Sequence, residues 1–426
     1  MTGPVLRLPP PGRSGLALGA TVETAAPSRK PRRPRSRPAA AAGPEPLPLP
    51  SVAPLKTVVH ITTNHTRDDI RVFLKECLTL QAHGYDVHLL VADGLGNSTA
   101  HGVTIHDLGF PRGRLQRFAL SPWKCWRYAT RLPARIYHLH DPELLGIALP
   151  LGLHGRKVVY DSHEDVPRAL LSRDWIPSPL RIPISRLFEL LENFVAARLS
   201  AIVAATPNIG ERFSKIRAVP TIINNYPLSH ELIQASPAST TKPRAVCYIG
   251  AISAPRGIRE IVKALELADA RLILAGSFET LALEEQVRRL PGWAKVDFRG
   301  SVSRVEAQAI MQSSRVGLVL FHPEPNHVEA QPNKMFEYMS AGLPVLASRF
   351  PLWESLIRDA DSGLCVDPLD PSEIAAAMTF LLDSPQRAAE MGARGRAAVA
   401  SSYNWDVEAP KLIELYRALD GRSAGT

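Results

Sequence analysis

The sequence predicts an α/β protein built from two doubly wound, parallel-sheet domains that face a cleft. Three observations carry this. From Thr57 onward, short apolar strand-like runs alternate with amphipathic helical stretches. The alternation breaks once, between Tyr226 and Arg244, where Pro, Ser and Thr accumulate, and then restarts. The 426 residues, 45% hydrophobic and 21% charged, are ample for two buried cores.

Residues 1–55 precede the pattern. They are mostly Pro, Arg, Ala and Gly, with too little apolar surface to offset the entropy of ordering, and are expected to form a disordered tail. Eight basic residues there stand against two acidic ones, so the tail holds +6 of the chain's net +9. Strands are then expected at 57–61, 86–91, 103–105, 136–139, 157–160, 201–204 and 219–223. The first helix, 70–82, has apolar residues at helical spacing and is stopped by Gly84. After the linker come strand 245–249, helix 257–267, strand 271–275, strand 296–298, helix 304–312 and strand 316–321. Helix 334–340 and strand 344–347 follow, and helices broken near Asn404 end the chain. The expected domains are 56–225 and 245–403, joined by a linker over 226–244.

Cys77, Cys125, Cys247 and Cys365 stand singly, with neither a CxxC nor zinc-ligand spacing, which fits a reducing compartment. No run reaches the roughly 18 apolar residues of a membrane span. The early apolar stretch precedes the basic cluster, the reverse of a secretory signal. A cytoplasmic location is expected, on the inner face of the membrane if membrane contact occurs.

The most informative segment runs from Glu329 to Tyr338. Pro332 forbids a helix through it, so Glu329 falls in a loop, Asn333 caps a new helix, and Lys334 sits in its first turn. A helix N-terminus with a lysine suits an anion such as a diphosphate, and Glu337, a turn on, can accept hydrogen bonds from sugar hydroxyls. Gly250 begins a second strand–loop–helix turn in which Arg256 can approach the same anion. A third constellation is His138, His140 and Asp141 at one strand end, with Asp161, His163 and Glu164 at the next. Alternation puts His138 and His140 on one face. These residues fit either a hydrogen-bonding pocket or a metal site made of His138, His140, Asp141 and His163. Asp359-Ala-Asp361 is a metal-binding string in form only and reads as a solvated turn.

With Arg256-Gly257, Glu329 through Glu337, Ala341-Gly-Leu-Pro-Val and Tyr403-Asn404-Trp405, the C-terminal half resembles the family 4 glycosyltransferases (glycosyl transferases group 1). Asp69-Ile-Arg71, Lys75-Glu76, His138-Leu-His140-Asp141 and Asp161-Ser-His163-Glu164 resemble a polysaccharide-biosynthesis subgroup. The resemblance covers about residues 57–420. It implies the GT-B fold, with the donor nucleotide in the C-terminal domain and the acceptor in the N-terminal one. It also implies a last helix, 404–420, crossing back to the first domain. The implied activity is retaining, hexosyl-type transfer from a nucleotide-sugar, UDP- or GDP-linked, with no metal and no resident cofactor. Arg256 and Lys334 would hold the diphosphate, assisted by Gly250 and Asn333. Glu329 would contact the donor sugar, Glu337 the ribose, and His140 would lie under the sugar near the reacting bond, with His138, Asp141, His163, Glu164 and Arg71 around it. The chain departs from the family in having Thr62-Thr63-Asn64-His65-Thr66 where paired glycines are common, and Ala251 where an arginine is common. Arg67 or Arg71 could supply the missing charge.

A saccharide or lipid-linked acceptor follows from the same resemblance. Residues 112–135 hold seven basic and no acidic residues, interleaved with Phe118, Trp123, Trp126 and Tyr128, and Arg168, Arg173, Trp175, Arg181 and Arg186 add to them. That composition fits an anionic membrane surface better than nucleic acid, for which no motif is present. The alternatives are a GT-B nucleotide-sugar epimerase and a metal-dependent hydrolase built on His138 and His140.

Overall fold

The structure, a computed structural model, describes residues 56–421 except 112, 114, 115, 174, 217, 218 and 230–242. The expected tail, most of the linker, and Arg112 and Arg114 of the basic patch lie outside the described residues.

Strands β1 (Lys56–Ile61), β2 (Tyr85–Val91), β3 (Ser98–Ala100), β4 (Val103–Asp107), β5 (Ile136–Leu139), β6 (Lys157–Ser162), β7 (Ala201–Ala204) and β8 (Pro220–Ile222) form one sheet. Their order is β3-β4-β2-β1-β5-β6-β7-β8. All pairs are parallel except β3–β4, a three-residue edge that the sequence did not signal. Strands β9 (Ala245–Ile249), β10 (Arg271–Ala275), β11 (Val296–Gly300), β12 (Val316–Val319), β13 (Val345–Ser348) and β14 (Gly363–Val366) form a second, wholly parallel sheet. Its order is β11-β10-β9-β12-β13-β14. Both are therefore α/β sheets with a reversal of strand order beside the first strand, where ligand crevices form.

Each sheet has a core on both faces, as buried parallel strands require. In the first sheet, Val59 and Ile61 face one core while Val58 faces the other. The helix Trp405–Leu419 closes that second face. Trp405, Leu412, Ile413 and Tyr416 pack there with Val58, Val72 and Ile136. Asn404 caps this helix through the Val407 N–H. Glu408 accepts hydrogen bonds from both nitrogens of Asn224, and the Trp405 indole donates to Thr79. The C-terminal residues are thus bound to the sheet that starts the chain.

The expected helix 70–82 is present, wound as a wider π-helical stretch over Ile70–Cys77 and as α-helix over Leu78–Ala82. Two expectations around the cleft change. A short helix, Pro325–Val328, precedes Glu329, which ends it. Asn333 is the first residue of the Asn333–Ser340 helix rather than its cap: Pro332 holds the cap position and offers no side-chain acceptor.

Candidate active site

A cleft of about 620 Å³ is lined from both sheets. The first half contributes His65, Asp69, Arg71, His163 and Glu164, and the second Gly250, Arg256, Glu329, Asn333, Lys334 and Glu337. All but Glu337, which lies one turn into the Asn333–Ser340 helix, are loop or helix-start residues beyond carboxyl ends of strands.

The second wall is cationic by construction. Because Pro332 leaves the Asn333–Ser340 helix without a side-chain cap, its first N–H groups stay available to a ligand. The Lys334 amine is shielded from solvent and has no hydrogen-bond partner among the described residues. It lies 3.8 Å from the centre of the Tyr248 ring. Burial first, and then repulsion from Arg256, pulls its pKa down to about 7. Gly250, at φ 122°, lies against that amine: a Cβ there would stand 3.4 Å from Lys334 Nζ. Gly257, at φ 71°, is equally constrained, since a Cβ would meet the Leu320 carbonyl oxygen at 2.2 Å. That turn carries Arg256, whose guanidinium donates to the Ala251 carbonyl.

The first wall is a hydrogen-bonded histidine cluster. His60 on β1 and His138 on β5 are register partners, and His140 lies two residues further on the same face. This is the face the C-terminal helix covers. His60, His138 and His140 are therefore buried, and His140 sits behind His163 instead of lining the cleft. The Tyr416 hydroxyl lies 2.8 Å from His138 Nδ1 and 3.1 Å from His60 Nε2. His60 Nδ1 is 2.9 Å from His140 Nε2. Burial lowers all three histidines, His140 to about 4. Asp161 takes Arg71 in a two-pronged pair, at 3.0 and 2.8 Å. Burial opposes the Asp161 charge most strongly, but Arg71, His163 and His140 together outweigh it and hold the carboxylate well below its usual range. Glu76 lies beside the rings and is pushed well upward, first by burial and then by Asp161.

Ligand-type atoms of His60, Glu76, His138 and His140 lie within 4.8 Å of one another. Apart from His138 Nε2, their ring nitrogens are engaged with one another, with Tyr416, and with His163 and Asp161. Asp141 is likewise engaged, accepting from the Thr62 hydroxyl and the Thr63 N–H at 2.7 Å each. The set His138, His140, Asp141 and His163 therefore does not converge on the cleft. Arg67 pairs with Asp93 and Arg71 with Asp161, so neither guanidinium is directed to an anion in the second wall. Asp361 ends a helix at φ 44° and is exposed.

Sequence reasoning missed His65, His60 and Tyr416. His65 Nδ1–H donates to Asp69 Oδ2 at 2.9 Å. Burial works against its charge, but the Asp69 bond and the nearby Asp141 outweigh it and raise its pKa. No periodicity marks a loop histidine, and nothing local announces that Tyr416 meets His138 across 278 residues.

Residues 229–398 match the family model for glycosyl transferases group 1, and residues 70–222 match the glycosyl transferase 4-like domain. The D-inositol 3-phosphate glycosyltransferase of Thermomonospora curvata is 33% identical over 92 residues, 22% of this chain and 21% of that protein. The chain thus spans about a fifth of that relative's length. The D-rhamnosyltransferase WbpZ of Pseudomonas aeruginosa is 25% identical over 295 residues, 66% of this chain and 72% of WbpZ. Among solved structures, the sucrose-phosphate synthase of Thermosynechococcus elongatus superposes with a TM-score of 0.72 at 18% identity, covering 86% of this chain and 100% of that one. Anabaena HepE, in complex with UDP and glucose, gives 0.66 at 15% identity, covering 85% and 100%. These two share the fold.

The Lys334 amine sets a pH test. A bound diphosphate raises its pKa above the value near 7 of the free protein. Binding therefore takes up a proton above pH 7, and affinity falls with rising pH, by at most about tenfold per unit, until the pKa in the complex is passed. Calorimetry of UDP binding at pH 8, in buffers of different ionisation enthalpy, is expected to show net proton uptake. Binding without uptake contradicts the assignment.

Proposed function

Because the chain belongs to the group 1 glycosyltransferases and has their GT-B fold, we propose that it moves a sugar from a nucleoside diphosphate sugar to a hydroxyl of a saccharide or lipid-linked acceptor, with retention and without a metal at the leaving phosphate. The observation that carries this reading is the shielded, unpartnered Lys334 amine at an uncapped helix start, with Arg256 beside it. Among the described residues the amine has no hydrogen-bonded counterion, Glu337 acting on it only through its charge, and a diphosphate would supply one. Relatives bearing glycosyltransferase names, and a structural neighbour holding UDP-glucose, support the donor class.

The chemistry follows from charge. As the bond from the sugar's anomeric carbon to the phosphate oxygen breaks, negative charge grows on the diphosphate. Lys334, Arg256 and the helix start stabilise it there. The acceptor oxygen bonds to the same face of that carbon, and its proton passes to the departing phosphate oxygen. Glu329 takes the donor sugar and Glu337 the ribose. The small cavity of about 170 Å³ beside Glu337, with Val302, Arg304 and Met311 in its lining, takes the base. UDP and GDP are the two candidate donors. His140 acts from behind His163. A metal hydrolase built on His138 and His140 would need their nitrogens in the cleft, whereas both rings are buried behind it.

The acceptor side fits a membrane-borne substrate. The helix Ser178–Ala196 displays Leu180, Ile182, Leu187, Leu190, Leu191 and Phe194 to solvent. Arg181, Arg186 and Arg198 lie on or just beyond it, a combination that suits anionic lipid. It packs on the Val166–Leu171 helix, whose preceding residues Glu164 and Asp165 line the cleft. Within 112–135, Trp123 is displayed, while Trp126 and Tyr128 pack against the core. No described helix is long and apolar enough to cross a membrane.

Two outcomes follow. Lys334→Ala is expected to weaken binding of UDP or GDP, whichever the wild type binds, by about 2–4 kcal/mol in calorimetry. Unchanged affinity removes Lys334 from the site. Replacing Leu187 and Leu191 together by Asp is expected to cut co-sedimentation with phosphatidylglycerol vesicles several-fold while leaving the circular dichroism unchanged. Equal sedimentation contradicts the membrane contact.

A further inference from the structure

The histidine cluster can be solved as a proton-placement problem, starting from its one fixed charge. Asp161 is buried, and its two oxygens hold the Arg71 guanidinium. Paired in this way it is ionised and can only accept. His163 Nε2 lies 2.9 Å from Asp161 Oδ2, so that nitrogen carries the hydrogen. His140 Nδ1 lies 3.4 Å from the same oxygen and 3.3 Å from His163 Nε2. A bare Nδ1 there would set lone pair against carboxylate, so His140 carries its hydrogen on Nδ1 as well.

The consequence runs inward. His140 is neutral, so its Nε2 is bare and must accept from His60 Nδ1–H, 2.9 Å away. His60 is then bare at Nε2 and accepts the Tyr416 hydroxyl at 3.1 Å. Tyr416 oxygen in turn accepts from His138 Nδ1–H at 2.8 Å. The chain ends at His138 Nε2, a buried nitrogen with no partner among the described residues. In this arrangement it is a bare acceptor, with no N–H donor stranded. At the 3.3 Å His140–His163 contact both N–H groups turn to the shared Asp161 oxygen; every other bond has one donor and one acceptor, with the direction fixed by Asp161.

We infer that Asp161 is a positioning residue: by holding the Nε2 hydrogen of His163, it leaves the bare Nδ1 of His163 to accept the hydrogen bond of the incoming acceptor hydroxyl. This rests on the glycosyltransferase reading above. His163 lines the cleft, and its Nδ1 engages no protein group among the described residues. Glu164, the next residue, lines the cleft too. His163 orients the hydroxyl, and the proton still leaves with the phosphate, so no added base is needed. The hydrogen-bonded chain behind Asp161 anchors this arrangement to Tyr416 and hence to the C-terminal helix.

The test needs no donor. Ring nitrogen-15 spectra of the full chain at pH 8, labelled in histidine, distinguish protonated from bare nitrogen. His163 is expected as the Nε2–H tautomer and His60, His138 and His140 as Nδ1–H tautomers. Asp161→Asn is expected to release His163 and His140 from a single tautomer. A wild-type His163 protonated on Nδ1, or a His140 protonated on Nε2 alone, overturns the inference, even if the variant fails to fold. So does a folded variant with unchanged tautomers. A chain showing the expected tautomers but binding neither UDP nor GDP would sink the donor reading and leave the proton placement standing.

Discussion

An amine held out of water with no hydrogen-bond partner among the described residues is the constraint around which the second half of the molecule is arranged. Lys334 is kept there by several local choices that each cost stability. Pro332 denies the helix a side-chain cap, Gly250 gives up its Cβ beside the amine, and Gly257 takes a left-handed backbone to bring Arg256 close. Two like charges near one another, one of them desolvated, are unfavourable in the empty protein. The arrangement makes sense if an anion of two or more charges completes it. An anion bound there would turn that unfavourable charge into affinity.

The opposing wall solves the reverse problem. Asp161 is an anion in the interior, and Arg71 meets it with paired donors, so its charge is satisfied by the fold. What remains is direction. Three histidines and a tyrosine line up behind that carboxylate because strand alternation places His60, His138 and His140 on one sheet face, and the last helix roofs that face with Tyr416. The first wall thus offers oriented hydrogen bonds where the second offers charge. That division suits a reaction in which one substrate leaves as an anion and the other arrives as a neutral hydroxyl.

Much of this was legible in the sequence, for identifiable reasons. Pro332 and the residues after it fix a helix start by local rules alone, so the cleft positions of Lys334 and Glu337 could be read directly, and Gly250 and Arg256 by the strand–loop–helix pattern. Alternation also told that His138 and His140 share a face. It could not tell that the face is covered, because the cover lies 278 residues away. His140 was therefore expected at the sugar, whereas His163 stands in front of it. Asn333 was read as a cap because its side chain suits that role, but the Pro332 backbone takes the position. The three-residue edge β3 and the short Pro325–Val328 helix are too brief for any period to show.

The central claim is that the cleft binds a nucleoside diphosphate through protein cations and a helix start, with no metal. Thermal shift of the purified chain against UDP, GDP, ADP and TDP and their sugars, with and without EDTA, tests it most directly. The account predicts that one nucleotide raises the melting temperature selectively and that the rise survives EDTA. A rise that EDTA abolishes, or no rise with any nucleotide, would contradict it.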